Sequence, residues 1–313
     1  MRPFRFFAAV QDVMDGAALA EVARRAEATG YSALLVPDHL AIPQLSPIPA
    51  MTAIALATTT LRTGGFVLNN DLRHPATLAH DLASLDQLSG GRVDVALGAG
   101  WRKLEYDAIG LTFDPQPTRV ARLAESVAVL KGCFADGPFT HHGEHYTITD
   151  YDALPKPVQR PHPPFLIGGG GRATLTLAAR EAQIIGLAPR VKAGRADPAS
   201  ITFAGVAEKI GWVREAAGDR FADLELNTYP STWPVTVTDD PLGEAAKVVD
   251  KVREGTGVEL SVDDVLDSPH LFIGTVDSLT DKVQGLRERL GISSFLFGDL
   301  DTLAPVVARL AGS

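Results

Sequence analysis

The chain has one cysteine, Cys133, in 313 residues, which excludes an internal disulfide and any thiolate metal cluster and fits a reducing compartment. It also lacks a basic excess: 29 lysines and arginines stand against 38 aspartates and glutamates, a formal charge of −9. Without a clustered basic surface, neither nucleic acid nor an acidic membrane is an expected partner, and a small molecule is the better default. No apolar run approaches a membrane span. Residues 1–13 carry Arg2 and Arg5, but the apolar run at 6–10 is too short for a signal h-region, so the expected location is the cytoplasm. Metal and nucleophile signatures are missing too, with no H-E-x-x-H, no cysteine pair and no G-x-S-x-G elbow. His141, His142 and His145 are neighbours in sequence, but a metal site draws ligands from several elements, so they read as solvated or structural and no metal is expected.

What the chain does have is repetition. At 45% hydrophobic it can bury a large core, as one barrel or as two ordinary domains. Strand patterns at 4–9, 31–36, 63–68, 92–97, 164–167, 184–187, 224–228 and 294–297 alternate with helical spacing. After Asp15, a plausible N-cap, Leu19, Val22, Ala23 and Ala26 share a helical face. Further helices are predicted at 49–60, 75–88, 118–134, 173–181, 200–217, 241–254 and 275–290, with a last one through Leu303, Val307 and Leu310. Eight strand-then-helix units with no linker between them fit a closed parallel barrel, because each parallel pairing needs a crossover helix. The expectation is one (β/α)8 TIM-barrel domain over 1–313 in the α/β class, with an open doubly wound sheet as the alternative. Stretches 39–48, 138–163 and 258–270 exceed the repeat, and insertions of this kind usually wall an active site. In the middle one, Gly143 between two β-prone runs suggests a hairpin.

In a parallel barrel the reactive residues lie at the C-terminal strand ends. Strand two ends in Pro37-Asp38-His39, which reads either as a proton-transferring pair or as a turn-capping carboxylate beside an exposed imidazole. Strand three ends in Gly65-Phe66-Val67-Leu68-Asn69-Asn70, which fits close ligand approach or a packed strand with an Asn-rich turn. Strand four ends in Gly98-Ala99-Gly100-Trp101, where a ring system could stack on the indole, although a Trp also serves as wall. Strand five runs into Gly168, Gly169, Gly170 and Gly171, with Arg172 opening the next helix. Free amides at a helix start, unblocked by side chains, suit a phosphate, with Arg172 as a further donor. The same glycines match a loose dinucleotide pattern, but the expected acid about 20 residues on is replaced by the Pro189-Arg190 region.

Together these strand ends resemble the luciferase-like flavin and F420-dependent oxidoreductases. The marks are Pro37-Asp38-His39-Leu40, Arg73-His74-Pro75-Ala76, Leu85-Asp86-Gln87-Leu88-Ser89-Gly90-Gly91-Arg92, Gly98-Ala99-Gly100-Trp101, Tyr146 leading to Pro155-Lys156-Pro157-Val158-Gln159, Pro163-Pro164-Phe165-Leu166-Ile167-Gly168-Gly169, and Ile273-Gly274-Thr275. The resemblance implies a cofactor ring over the barrel mouth and its phosphate at Gly168 to Gly171 and Arg172. It also implies a non-prolyl cis peptide at Phe66-Val67, or at Gly65-Phe66 if the alignment slips by one, backing the ring. Asp38, Asn69, Gly100 and Trp101 would flank it. Trp101 stands where relatives carry a glutamate proton donor, so His39 is the first candidate acid and Glu105 the second, with Asp38 orienting the ring or the imidazole. Coenzyme F420 is the expected cofactor and hydride transfer to or from a small organic substrate the expected reaction. Lys156, Arg160, Arg172, Arg190 and Lys192 are candidate partners for the acidic F420 tail. The alternatives are an FMN monooxygenase using reduced flavin and oxygen, and a non-catalytic flavin-binding protein. By analogy a homodimer and a flavin or F420 reductase partner are expected.

Overall fold

In a computed structural model, the described residues are 2–10, 12–192 and 195–313. Eight parallel strands, β1 Arg5–Ala9, β2 Ala33–Val36, β3 Arg62–Gly65, β4 Val93–Gly98, β5 Phe165–Gly169, β6 Ile184–Leu187, β7 Glu225–Thr228 and β8 Ile292–Phe297, follow the predicted order. The helices are α1 Gly16–Thr29, α2 Pro47–Ala57, α3 Pro75–Ser89, α4 Lys103–Ile109, α5 Gln116–Phe134, α6 Arg172–Glu181, α7 Phe203–Ala217, α8 Pro241–Thr256, α9 Val262–Leu266, α10 Val276–Leu290 and α11 Ala304–Leu310. Contacts divide the chain into two compact units, residues 1–9, 28–32 and 168–313, and residues 10–27 and 33–167.

In the first unit β1 pairs with β8, β8 with β7 and β7 with β6, all parallel, in registers such as Phe6↔Phe295 and Leu226↔Ile185. Every residue of β6, β7 and β8 is buried, as expected of parallel strands covered on both faces. Phe6, Phe295 and Phe297 stack with centroids 5.4 to 6.1 Å apart, and Phe272 meets Phe297 edge-on. The helices stop and start on local chemistry. Thr275 caps α10 by accepting from the Ser278 amide, and Gly291 ends it in the left-handed region. Ser261 and Asp264 form a reciprocal capping box at α9.

In the second unit β2 pairs with β3, β3 with β4 and β4 with β5. The third predicted strand is broken. Its β3 part follows β2 as far as Val36↔Gly65, the Phe66 amide still donates to the Val36 carbonyl, and Leu68–Asn69 then pairs with Leu97 and Gly98 of β4. At the break the Phe66-Val67 peptide is cis, at the first of the two bonds expected. The two quoted motifs at 85–92 and 155–159 meet here: buried Asp86 accepts from the Gln159 amide at 2.9 Å and from its side chain at 2.7 Å. The insertion is a hairpin, Phe139–His142 against Thr147–Tyr151, with Gly143 in the turn as its position implied. The short helix α4 was not predicted.

Candidate active site

Three segments of the second unit supply the site: the end of β2, the bulge after β3, and the stretch from Gly98 into α4. Asp38, directly after β2, is buried. A buried carboxylate needs partners, and Asp38 has three donors: Arg73 binds it at 2.6 and 3.0 Å, and the Asn69 amide donates to it at 2.8 Å. The carboxylate therefore ties β2 to the bulge and to the entry of α3.

His39 turns to a different neighbour. Its Nδ1 lies 3.0 and 3.1 Å from the two carboxylate oxygens of Glu105, on the first turn of α4. A carboxylate only accepts, so Nδ1 carries a proton and donates it, leaving Nε2 as the atom that can exchange a proton. Glu105 is almost fully enclosed, with 3% of its side chain exposed against 20% for His39, and it also takes a bond from Arg102 at 3.3 Å. The Trp101 ring meets the imidazole edge-on, centroids 5.9 Å apart. The two candidate acids of the sequence are thus brought together, and Asp38 is engaged with Arg73 and Asn69.

Beneath this pair is a network that sequence reasoning missed. The Tyr106 hydroxyl lies 3.0 Å from both Asn69 Oδ1 and Asp71 Oδ2, and burial pushes the phenol up to about 12, so it stays protonated. Arg122 pairs with Asp71 and Asp114, and Arg119 donates to the carbonyls of Ala99 and Gly100. Gly100 has φ +73°, and a Cβ there would overlap the Tyr106 hydroxyl. A Cβ on Gly98 would overlap Val67. The glycines of this strand end are therefore required by the bulge and the tyrosine packed against them. Spacing alone offers one clue to these partners: an acid at a strand end expected to be buried demands a cation, and Arg73 stands in a motif that the sequence had already singled out.

The hairpin closes one side. Glu125 of α5 accepts from the amides of Glu144, His145 and Tyr146 at 2.8, 3.0 and 3.2 Å. Desolvation pushes its pKa up, but these three amides outweigh it and hold the carboxyl below its ordinary range. Tyr146 then faces Asn70, whose amide nitrogen lies 3.5 Å from the hydroxyl, and packs edge-on against His74. Asn70 Oδ1 is buried without a hydrogen-bond partner. Burial pushes the Cys133 thiol up to about 11, so it is not a ready nucleophile.

The glycine turn belongs to the first unit. Gly171 is the N-cap of α6 and no side chain caps the helix. A Cβ on Gly169 would overlap Thr174, and one on Gly170 would overlap the Pro189 carbonyl. Arg172 is exposed and paired with Glu215 at 2.7 Å. Of the other expected tail-binding cations, Arg190 and Lys192 both close on Asp197, Lys156 on Asp152, and Arg160 on Asp136. No helix of the described residues is long and apolar enough to cross a membrane.

A model of the family described as luciferase-like monooxygenase matches residues 3–241. An FMNH2-dependent dimethylsulfone monooxygenase of Pseudomonas putida is 42% identical over 106 residues, 34% of this chain and 29% of its own length. An F420-dependent glucose-6-phosphate dehydrogenase of Kineococcus radiotolerans is 31% identical over 163 residues, 50% of this chain and 48% of its own. The chain thus spans less than two thirds of the length of these curated relatives. In three dimensions, the coenzyme F420-dependent tetrahydromethanopterin reductase of Methanopyrus kandleri matches over 98% of both chains, with a TM-score of 0.76 at 18% identity. The expected (β/α)8 barrel is the fold of the chain.

Proposed function

The chain belongs to the luciferase-like monooxygenase family, and from that premise we propose that it is a coenzyme F420-dependent oxidoreductase acting on a small organic substrate. When bound, the deazaflavin supplies or takes up a hydride at C5. His39 gives or takes the accompanying proton at Nε2, and Glu105 positions it by accepting from Nδ1. The 3.0 Å contact between these two residues carries the reading. Asp38 acts through the bulge, fixing Asn69 by its amide and Arg73 by a two-pronged pair.

The residues present suit a flat, hydrogen-bonding ring. Phe66 and Val67 form the bulge, Asn69, Gly100 and Trp101 lie along the same strand ends, and the unpartnered buried Oδ1 of Asn70 is an acceptor in need of a donor. The turn at Gly168 to Gly171 is proposed separately as the phosphate site. The first amides of α6 have no side-chain cap, which leaves them for an anion. Arg172 would join them by exchanging Glu215 for the phosphoryl group.

FMN is the second reading, favoured by the 42% identity to an FMNH2-dependent enzyme. Under it the chain would act as a monooxygenase with reduced flavin and oxygen, served by a partner reductase. Equilibrium titration of the cofactor-free protein with F420 and with FMN, followed by fluorescence, separates the two. Tight FMN binding with no F420 binding would replace the first reading by the second; binding of neither would remove both.

A further inference from the structure

The first unit holds a cavity of about 200 Å³ that shares no lining residue with the glycine turn or the proton-transfer pair. It is lined by the turn at Pro198–Ile201, by Thr232 and Trp233 beyond the end of β7, and by the C-terminal half of α8. Its walls are firm. Ile201 and Val248, each 2% exposed, belong to a hydrophobic core with Leu260, Val265 and Leu271, and Trp233 and Val252 are packed against that core. Thr232 holds φ at +69°, a conformation that a β-branched residue adopts only where its surroundings impose it. The volume lies below the roughly 300–1,000 Å³ of sites for drug-sized ligands, so it suits a single ring or a short chain.

The charges around the cavity are unequally committed. Asp197, between the lining residues Ala196 and Pro198, is paired with Arg190 at 3.2 Å and with Lys192 at 3.1 Å. Among the cations of α8, Lys247 is paired with Glu244 at 2.5 Å and Arg253 with Asp250 at 2.6 Å. Lys251, which lines the cavity, has no ion pair among the described residues, and its ammonium rests 5.0 Å from the centroid of the Trp233 ring. A cation–π contact at an exposed site is weak, so this ammonium can turn to an anion without breaking a stronger bond. Apolar walls beside one uncommitted positive charge complement a monoanion with an apolar body. A sugar would leave hydroxyls unmatched there, and an amine would meet a like charge.

We propose that this cavity binds a small monocarboxylate, an aryl or short-chain alkyl acid, with its carboxylate on Lys251 and its apolar body against Trp233, Val248 and Val252. The site is independent of the redox reading given above. The test is calorimetric titration of the full chain with 3-phenylpropionate, its neutral amide and 3-phenylpropylamine. Alongside it, emission is followed in a Trp101→Phe/Trp212→Phe background, where Trp233 is the one remaining tryptophan of the three. Expected are a dissociation constant of about 1 mM or lower for the acid, an amide about three- to tenfold weaker, an amine weaker still, and a shift of Trp233 emission as the acid saturates. Lys251→Met should bring the acid to the level of the amide, Lys251→Arg should keep it within about twofold of the natural chain, and Val252→Phe, by filling the cavity, should weaken acid and amide alike. No acid binding up to about 10 mM, an acid no tighter than its amide, or acid binding undiminished in Lys251→Met overturns the proposal. Acid binding that leaves Trp233 emission unchanged does so too, because the ligand then lies elsewhere.

Discussion

The Asp38 carboxylate already accepts three hydrogen bonds, two from Arg73 and one from the Asn69 amide, so its first contribution is mechanical. Removing one partner of such a pair leaves the other charge, half-buried in the case of Arg73, without its counter-ion. Asp38→Ala is expected to lower the unfolding free energy by about 3 kcal/mol, read from the urea midpoint at constant m-value. Arg73→Met should cost nearly as much, and the double variant less than the sum of the two. Strict additivity would mean that the two side chains act independently. At His39 the expectation is kinetic. His39→Ala should reduce turnover by about 100-fold or more while the cofactor dissociation constant stays within about twofold. Glu105→Gln should change the pH profile as well as the rate, because an amide can also donate and so ceases to specify which imidazole nitrogen carries the proton. Unchanged turnover in His39→Ala would require a different acid.

At the scale of elements, the junction of β4 with α4 depends on one missing methyl group. Gly100 combines a positive φ with contact against the Tyr106 hydroxyl, so Gly100→Ala should destabilise by about 2 kcal/mol or more. Adding Tyr106→Phe deletes the oxygen that the new methyl would meet. A double-mutant cycle should therefore show a favourable coupling of about 1 kcal/mol, and zero coupling would show that the cost is backbone strain alone. The elements themselves were largely legible, because β-prone runs between glycines and prolines and capped helices carry local signals; Ile184–Leu187 was placed to the residue. Some local features escaped, helix α9 inside the stretch 258–270 among them. The third strand was read as continuous because its apolar pattern runs through Phe66 and Val67, whereas the chain changes its neighbour from β2 to β4 there. Helix α4, only seven residues long and with exposed Leu104 and Ile109, has too little apolar periodicity to announce itself. Within the candidate site, the end of strand two pointed to Asp38 and His39, and Glu105 came only from the family resemblance. Arg73 was visible only as part of its motif, and Asp71, Arg119 and Arg122 were not legible, since residue spacing does not say which charged groups meet in space.

At the scale of the whole molecule, pH should reveal how two buried bases are housed. Lys209 donates to the Ala188 carbonyl at 2.7 Å, and burial, reinforced by Arg190, brings its amine down to about 7, against the opposing pull of Glu208 and Asp197. Between about 7 and 10.5 the unfolded chain binds a proton here that the folded chain does not, so stability rises with pH across that window. Relative to Lys209→Met, the natural chain should gain about 3 kcal/mol from pH 7 to pH 10, measured by urea unfolding of both at each pH. Parallel curves would mean that the amine stays charged. His270 sits at the other end of the scale: burial first, then Lys209, lowers it to about 3, opposed by its hydrogen bond to the Tyr229 carbonyl. It should cost stability as the pH falls from about 6.5 towards 3, and His270→Gln should blunt that acid limb.

The Glu125 clasp gives the inserted hairpin a limited repertoire. With three consecutive amides gathered by one carboxylate of α5, and no room for a Cβ on Gly143 against it, the insert is expected to move with its helix as one piece and not as a flap. A change of diet in this lineage would accordingly come by exchanging side chains on a fixed wall, Tyr146 first among them, and not by loosening a door.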